Sequence, residues 1–480
     1  MKTKRKAAKR SGSSAKRTKK SGSRKRRATR TRRRRALRSS RNGGALGRAI
    51  RSFLPEAIFA NLAKHGNLKW THFALASAAI LWSWAGERTL GERHHLAREI
   101  LERWLPGRFV ATTYQGFIGA LESYNDRMLA VVVPQLQAAT RALAEQFGRW
   151  KLAGFAAFAG DGSKLATCWT AANEAELGKQ GLEPKGKKCR RRETDLRPQE
   201  SLTMVRHMGT GLPWAWRRSG PDQGERTHLR TMLDELPERA LLVADAGFTG
   251  YELWTAIMKA KCDFLIRVGG NVELLTGLAP EHERRDDLVW LWPAGKRAEG
   301  APPLKLRLIE LKSGKLSVFL ATTVLDPSEL TLEQASTLYK ARWGIEGQFR
   351  SLKQTFERSK LRSCTPAAAG CERDWSLAPL WLLGLTATRE QLSAKVRVGR
   401  QSVAACLKVV RRELRAQWSG LEWLQWSDFA SAVTDECKRT SSKKARHNAR
   451  KRNDLPPGNP KIVAATHAEV EAAQALSVAA

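Results

Sequence analysis

The sequence predicts a mixed α/β protein in which a strand-containing central region is flanked by helical segments at both ends. Two apolar runs that stop at an acid, Phe155-Ala-Ala-Phe-Ala-Gly-Asp161 and Ala240-Leu-Leu-Val-Ala-Asp245, read as buried strands meeting a turn. Downstream, Phe264-Leu-Ile-Arg-Val, Leu288-Val-Trp-Leu-Trp, Leu304-Lys-Leu-Arg-Leu-Ile-Glu-Leu and Leu316-Ser-Val-Phe-Leu-Ala alternate with period two or form short apolar runs, which marks further strands. Helical periodicity dominates on either side. A length of 480 residues exceeds the usual range of one core. The expected parts are a basic arm (1–41), a helical N-terminal domain (42–150), an α/β domain (151–395) with a β-rich insertion at about 264–326, a helical region (396–437) and a basic tail (438–480).

In chain order, helices are expected over residues 70–86, 89–105 and 113–152, the last kinked or broken at Pro134. The most apolar stretch, residues 73–85, is about 13 residues long, whereas a membrane span needs about 20. It reads as a buried helix, and no membrane partner is expected. Within the α/β domain the run ending at Asp161 is followed by strands at residues 201–208 and 213–217, a helix at 225–236, a strand at 241–245 and a helix at 251–260. Residues 375–393 and 398–415 are the later helices.

The densest chemistry lies in Tyr339-Lys-Ala-Arg342-Trp-Gly-Ile-Glu346-Gly-Gln-Phe-Arg350-Ser-Leu-Lys353. On a regular helix with Tyr339 at zero and about 100° per residue, Arg342, Glu346 and Lys353 fall at roughly 300°, 340° and 320°. Leu338, Ile345, Phe349, Leu352 and Phe356 cluster between about 220° and 280°, a stripe that seats the helix on a core. A carboxylate held among cations suits a metal ligand beside phosphate-gripping groups; a solvated face with an Arg/Glu i,i+4 pair is the plainer alternative. Either strand-end acid alone equally suits a turn with an Asx hydrogen bond. Taken together, Asp161, Asp245 and Glu346 are three carboxylates on separate elements. They would repel one another unless divalent cations sat between them, and open oxygen coordination favours magnesium or manganese. Two such ions serve phosphoryl transfer, so metal-dependent strand chemistry on nucleic acid is expected.

These residues resemble a known family, the DDE transposases of bacterial insertion sequences, in the group defined by Tyr-x2-Arg-x3-Glu-x6-Lys, the IS-four family. Tyr339, Arg342, Glu346 and Lys353 match that spacing without a gap, and Asp161 in Asp-Gly-Ser and Asp245 in Asp-Ala-Gly-Phe look like the other two acids. The likeness spans roughly residues 150–395. It implies that Asp161, Asp245 and Glu346 are catalytic and hold two Mg2+ (or Mn2+) ions, while Tyr339, Arg342 and Lys353 bind DNA. It also implies cleavage at element ends, strand transfer into target DNA and a homodimer in the synaptic complex. The order strand, strand, strand, helix, strand, helix is the one expected of a ribonuclease-H-like catalytic domain. Similar transposases carry a β-rich insertion before the glutamate, in some with an aromatic that stacks on a flipped base. Here the preceding strand offers Val318 and Phe319 instead of tryptophan, and Trp290 and Trp292 are either substitutes or core. Gly344, which costs a helix about 1 kcal/mol relative to alanine, either admits a DNA backbone or weakens the helix. Two rival classes remain: a non-catalytic DNA-binding derivative, which a lost acid would mark, and a metal-dependent nuclease without strand transfer.

Charge points to the same partner independently. The chain carries 85 Lys plus Arg against 46 Asp plus Glu, a net +39, so a polyanion is the natural ligand. Residues 1–41 hold 21 basic side chains and no acid, which leaves 39 − 21 = +18 on the remainder. Such an arm is expected to be disordered and to bind phosphates without reading bases; a nuclear-localisation run is the alternative. A second basic run occupies residues 438–452. The seven cysteines include no Cys-x2-Cys pair, so neither a zinc ribbon nor a secreted disulfide framework is expected. His94-His95 lacks a partner cluster and is not read as a metal site. A cytoplasmic, nucleoid-associated location follows from these features.

Overall fold

The computed structural model describes residues 43–63, 70–106, 112–180, 197–220, 222–313, 316–395, 402–419 and 458–478. The basic arm, the run at 438–452 and most of the region at 396–437 lie outside the described residues. The N-terminal part contains helices α1 (Gly44–Phe53), α2 (His72–Trp84), α3 (Leu90–Trp104) and α4 (Tyr114–Gln146). Every residue of α2 is buried, the pattern of a core helix that is apolar all round. No helix among the described residues is long and apolar enough to cross a membrane. Threonine hydroxyls set the starts of α2, α3 and α4: Thr71 accepts the Ala74 N–H, Thr113 accepts the Gly116 N–H, and Thr89 and Glu92 cap each other reciprocally. Pro134 does not end its helix. It stands exposed inside the continuous α4, on the side away from Leu136 and Val132, so of the expected kink or break the break does not occur.

The centre is one mixed sheet. Its strands are β1 (Ala157–Ala166), β2 (Lys179–Gln180), β3 (Arg197–His207), β4 (Pro213–Ser219), β5 (Leu241–Ala244), β6 (Asp263–Val268), β7 (Glu273–Thr276), β8 (Leu288–Leu291), β9 (Leu304–Ser313), β10 (Leu316–Thr322) and β11 (Lys461–Ala464). The order runs β11-β7-β8-β9-β10-β6-β5-β1-β3-β2, with β4 also on β3. β1, β5 and β6 are parallel neighbours, whereas β3 and β4 run antiparallel. The stretch that the sequence marks as β-rich, about 264–326, continues this same sheet through β6, β10, β9, β8 and β7. Between the strands lie α5 (Ala171–Leu177), α6 (Glu225–Arg230), α7 (Tyr251–Lys259) and α8 (Ala294–Ala298). The helix expected at 225–236 is therefore shorter, its end replaced by a 3-10 turn at Leu233–Glu235.

Alternation along the strands sorts side chains into two cores. Ala157, Ala159, Leu241 and Val243 face the larger core, shared with α1–α4 and the C-terminal helices. Phe158, Leu242 and Ala244 face the second, with Leu229, Leu253 and Trp254 of α6 and α7. Because both faces are covered, β5 reads as an unbroken apolar run rather than an alternating one. After the sheet come α9 (Leu332–Ala341), α10 (Gly344–Arg350), α11 (Pro366–Ser393), α12 (Val403–Trp418) and α13 (His467–Val478). Trp290 and Trp292 pack in a small third cluster and are about 5% exposed, which closes the base-stacking reading of that pair.

Candidate active site

Asp161 sits in the middle of β1, opposite Met204 of β3, not at the strand's end as expected. The strand continues because its pairing with β3 runs through Ala166, beyond the three-residue parallel contact with β5. Two residues beyond Ala159, Asp161 shares the face of the larger core. Its Oδ1 accepts the Gly162 N–H at 2.8 Å. Burial pushes its carboxyl up to about 6; the Gly162 N–H opposes this, the Asp245 and Glu346 charges add to it, and Arg342 counters them. Asp245 follows β5 directly in extended conformation, so by the alternation of Leu241 and Val243 it lies on the same side. It caps a 3-10 turn (Ala246–Phe248), accepting the Gly247 N–H at 2.8 Å. Arg226 of α6 fixes that turn by donating to the Gly247 carbonyl at 2.7 Å.

The Tyr339–Lys353 segment is not the single regular helix the wheel assumes. α9 ends at Ala341, and the turn tightens: the Ile345 N–H bonds to Arg342 O at 3.0 Å and the Glu346 N–H to Trp343 O at 3.2 Å, each three residues back. After α10 the chain widens into a π segment (Ser351–Thr355), where the Phe356 N–H reaches Ser351 O at 2.9 Å, five back. Both ends nevertheless touch β1. Arg342 Nη1 stands 4.0 Å from Asp161 Oδ2, and Lys353 Nζ donates to Ser163 Oγ at 2.6 Å. Asp161 and Ser163 are two apart on one strand, so the segment lies along that edge. Ile345, Phe349, Leu352 and Phe356 all enter the larger core, as the apolar stripe predicts. The Arg342 guanidinium lies 5.5 Å from the Tyr339 ring and 5.7 Å from the exposed Trp343 ring, two cation–π contacts that hold it beside the acids. Burial lowers the Lys353 pKa.

Two nearby residues escape a motif reading. Glu225 opens α6 and is exposed as a residue, yet its carboxylate tucks against Gly162, where a Cβ would come within 2.0 Å of Oε1. Burial and then the charges of Asp161 and Asp245 push its carboxyl up. It is a fourth acid facing the site from the other side of β1. Gly344 likewise does not leave open space: a Cβ there would lie 2.4 Å from Arg206 Nη1. In both cases a glycine at an unfavourable place was the only sequence signal. His94 stacks on Phe117 at 4.9 Å, and burial pushes it down to about 4, while His95 pairs with Glu99, so the two histidines point apart in role.

The site is thus a set of oxygen donors, coupled by charge, with Arg342 and Lys353 alongside. Among the described residues no three His, Cys, Asp or Glu side chains stand close enough together to hold one metal ion. The donor chemistry still fits hard divalent cations, since Asp161 feels two other carboxylates and a single arginine at 4.0 Å.

Residues 171–378 match the family model described as a transposase DDE domain. Over that stretch, less than half of the chain, the sequence is similar to DDE transposases. The match includes Asp245, Tyr339, Arg342, Glu346 and Lys353 and starts beyond Asp161. Among solved structures the chain is similar to a piggyBac transposase synaptic complex with hairpin DNA, at 10% identity and a TM-score of 0.37, covering 86% of this chain and 87% of that one. No curated protein sequence matches the chain.

Proposed function

We propose that this protein is a DDE transposase that cleaves DNA at the ends of its element and joins the freed ends to target DNA. What supports this reading is that the segment carrying Glu346 lies against β1, with Arg342 Nη1 4.0 Å from Asp161 Oδ2 and Lys353 Nζ 2.6 Å from Ser163 Oγ, while Asp161 feels the charges of Asp245 and Glu346. The Tyr339, Arg342, Glu346 and Lys353 spacing favours the IS-four group. The order β4-β3-β1-β5-β6, parallel from β1 to β6, supports a ribonuclease-H-like core. Asp161, Asp245 and Glu346 would hold two magnesium or manganese ions, which when bound activate the attacking oxygen and stabilise the leaving one. The chain's own groups do the positioning. Arg342, fixed between two rings, and Lys353, fixed on Ser163, offer cations to the phosphates flanking the cut. The +39 charge supplies sequence-independent attraction to DNA, and pairing of two ends suits a homodimer acting in the cytoplasm at the nucleoid.

The test uses a plasmid carrying the DNA that flanks the gene on both sides. Nicking at the flanks and joining to a second plasmid should require Mg2+ or Mn2+, with Ca2+ allowing binding but little chemistry. Asp161→Ala, Asp245→Ala and Glu346→Gln should abolish cutting while leaving DNA binding intact. Full cutting in excess chelator, or wild-type rates in Asp161→Ala, would overturn the assignment; nicking without joining of a pre-cleaved end would reduce it to a nuclease.

A further inference from the structure

Arg206 is a charged group beside the start of the Glu346 helix that no motif assigns. It lies on β3 opposite Ala159, so it shares the face of Asp161. Its side chain is half-buried, and its Nε donates to the Gly211 carbonyl at 3.0 Å. The rest of the guanidinium occupies a slot between two glycines. A Cβ on Gly211 would fall 2.7 Å from Nη2, and one on Gly344 would fall 2.4 Å from Nη1 and 2.8 Å from Nη2. Gln348 Nε2 donates to the same Gly211 carbonyl at 2.5 Å, which ties the loop after β3 to α10 two residues past Glu346.

What sets Arg206 apart is that no acid among the described residues pairs with it. Arg93 pairs with Glu357, Arg358 with Glu372, Arg373 with Glu200 and Asp374, and Arg342 stands beside Asp161. Burial alone pushes Arg206 down to about 10, and no carboxylate among the described residues offsets it. It stays charged at neutral pH. A half-buried cation held without an internal counter-ion is costly unless something outside the fold supplies the anion. The planar fork of a guanidinium matches two phosphate oxygens.

We propose that Arg206 is a DNA-backbone contact of this site, its guanidinium aimed by the slot that Gly211 and Gly344 leave, and that it grips a phosphate next to the strand held by Arg342. The inference rests on the proposed transposase reading and deepens it. It also explains Gly344: the glycine makes room for a side chain that binds DNA, not for DNA itself. Since a Cβ there meets the far end of a flexible side chain, Gly344→Ala should displace the guanidinium without disrupting the fold.

The experiment measures affinity of the full chain in calcium for duplexes tiling the gene's flanks, using the tightest binder, unmodified or with single methylphosphonates. Arg206→Gln and Gly344→Ala should each weaken binding about ten- to a hundredfold, the range of one charge-assisted contact, and the double variant should be no weaker than Arg206→Gln. Gly344→Ala should keep or raise the melting temperature, which a merely structural arginine would not predict. One methylphosphonate should erase the difference between wild type and Arg206→Gln. Wild-type affinity in Arg206→Gln, or additive losses at every modified phosphate, would overturn the inference. The transposase reading is judged separately, by cutting in Asp161→Ala.

Discussion

Asp161 is held in a state that opposes folding at neutral pH. Its carboxyl is raised to about 6 from an ordinary 3.8, chiefly by burial and further by Asp245 and Glu346. Between those values the folded chain binds more protons than the unfolded one, so this group makes stability fall as pH rises. The destabilisation is absent below about pH 4 and complete above about pH 6. A shift of this size corresponds to at most about 3 kcal/mol. Asp161→Asn keeps the shape and can still accept the Gly162 N–H, but it removes the charge. In excess chelator the variant should melt above wild type at pH 7.5, with the gap closing towards pH 4; melting temperatures equal at both pH values would show that the neighbouring carboxylates do not strain this position. Glu225 belongs to the same field, and its place was illegible because it depends on how α6 packs on β1.

At the scale of elements, the residue spacing located the functional side chains better than it described the backbone that carries them. The apolar stripe of Ile345, Phe349, Leu352 and Phe356 was readable because it reflects one buried face. The tight turn at Arg342–Gly344 and the π segment at Ser351–Thr355 were not, since a wheel counts residues and carries no information about hydrogen-bond length. The π segment is followed by a clamp that seats it. Glu372 of α11 accepts the Arg362 N–H at 2.8 Å, the Ser363 N–H at 3.0 Å and the Ser363 hydroxyl at 2.9 Å, and its Oε1 lies 3.4 Å from Arg358 Nε. Both charged side chains are fully buried. Glu372→Ala would strand Arg358 and three donors, so urea unfolding should show a loss of about 3–5 kcal/mol. Glu372→Gln should lose less, because an amide oxygen still accepts. A Glu372→Ala midpoint near wild type would mean that the segment is seated by its apolar contacts alone.

For the whole molecule, burial of the sheet on both faces decides which features could be foreseen. β5 was legible because an apolar run ending in Asp245 is required of a strand covered on each side. The joining of β7–β10 to the same sheet was not, because strand pairing across about 60 residues is set by packing and not by local pattern. Charge, by contrast, needs no coordinates. The 21 cations of residues 1–41 and the +18 of the remainder are separable contributions to DNA affinity. Each phosphate neutralised releases counter-ions, so log affinity falls with log salt in proportion to the number of contacts. Deleting residues 2–41 should therefore weaken binding to flanking and random duplexes alike and make that slope shallower. The deletion should leave the melting temperature of the remainder unchanged, since a segment with 21 basic side chains and no apolar period offers little surface to bury. If the slope stays the same while affinity falls only for the flanking duplex, the arm reads sequence or shape instead of phosphate charge, and the +18 body does the electrostatic gripping.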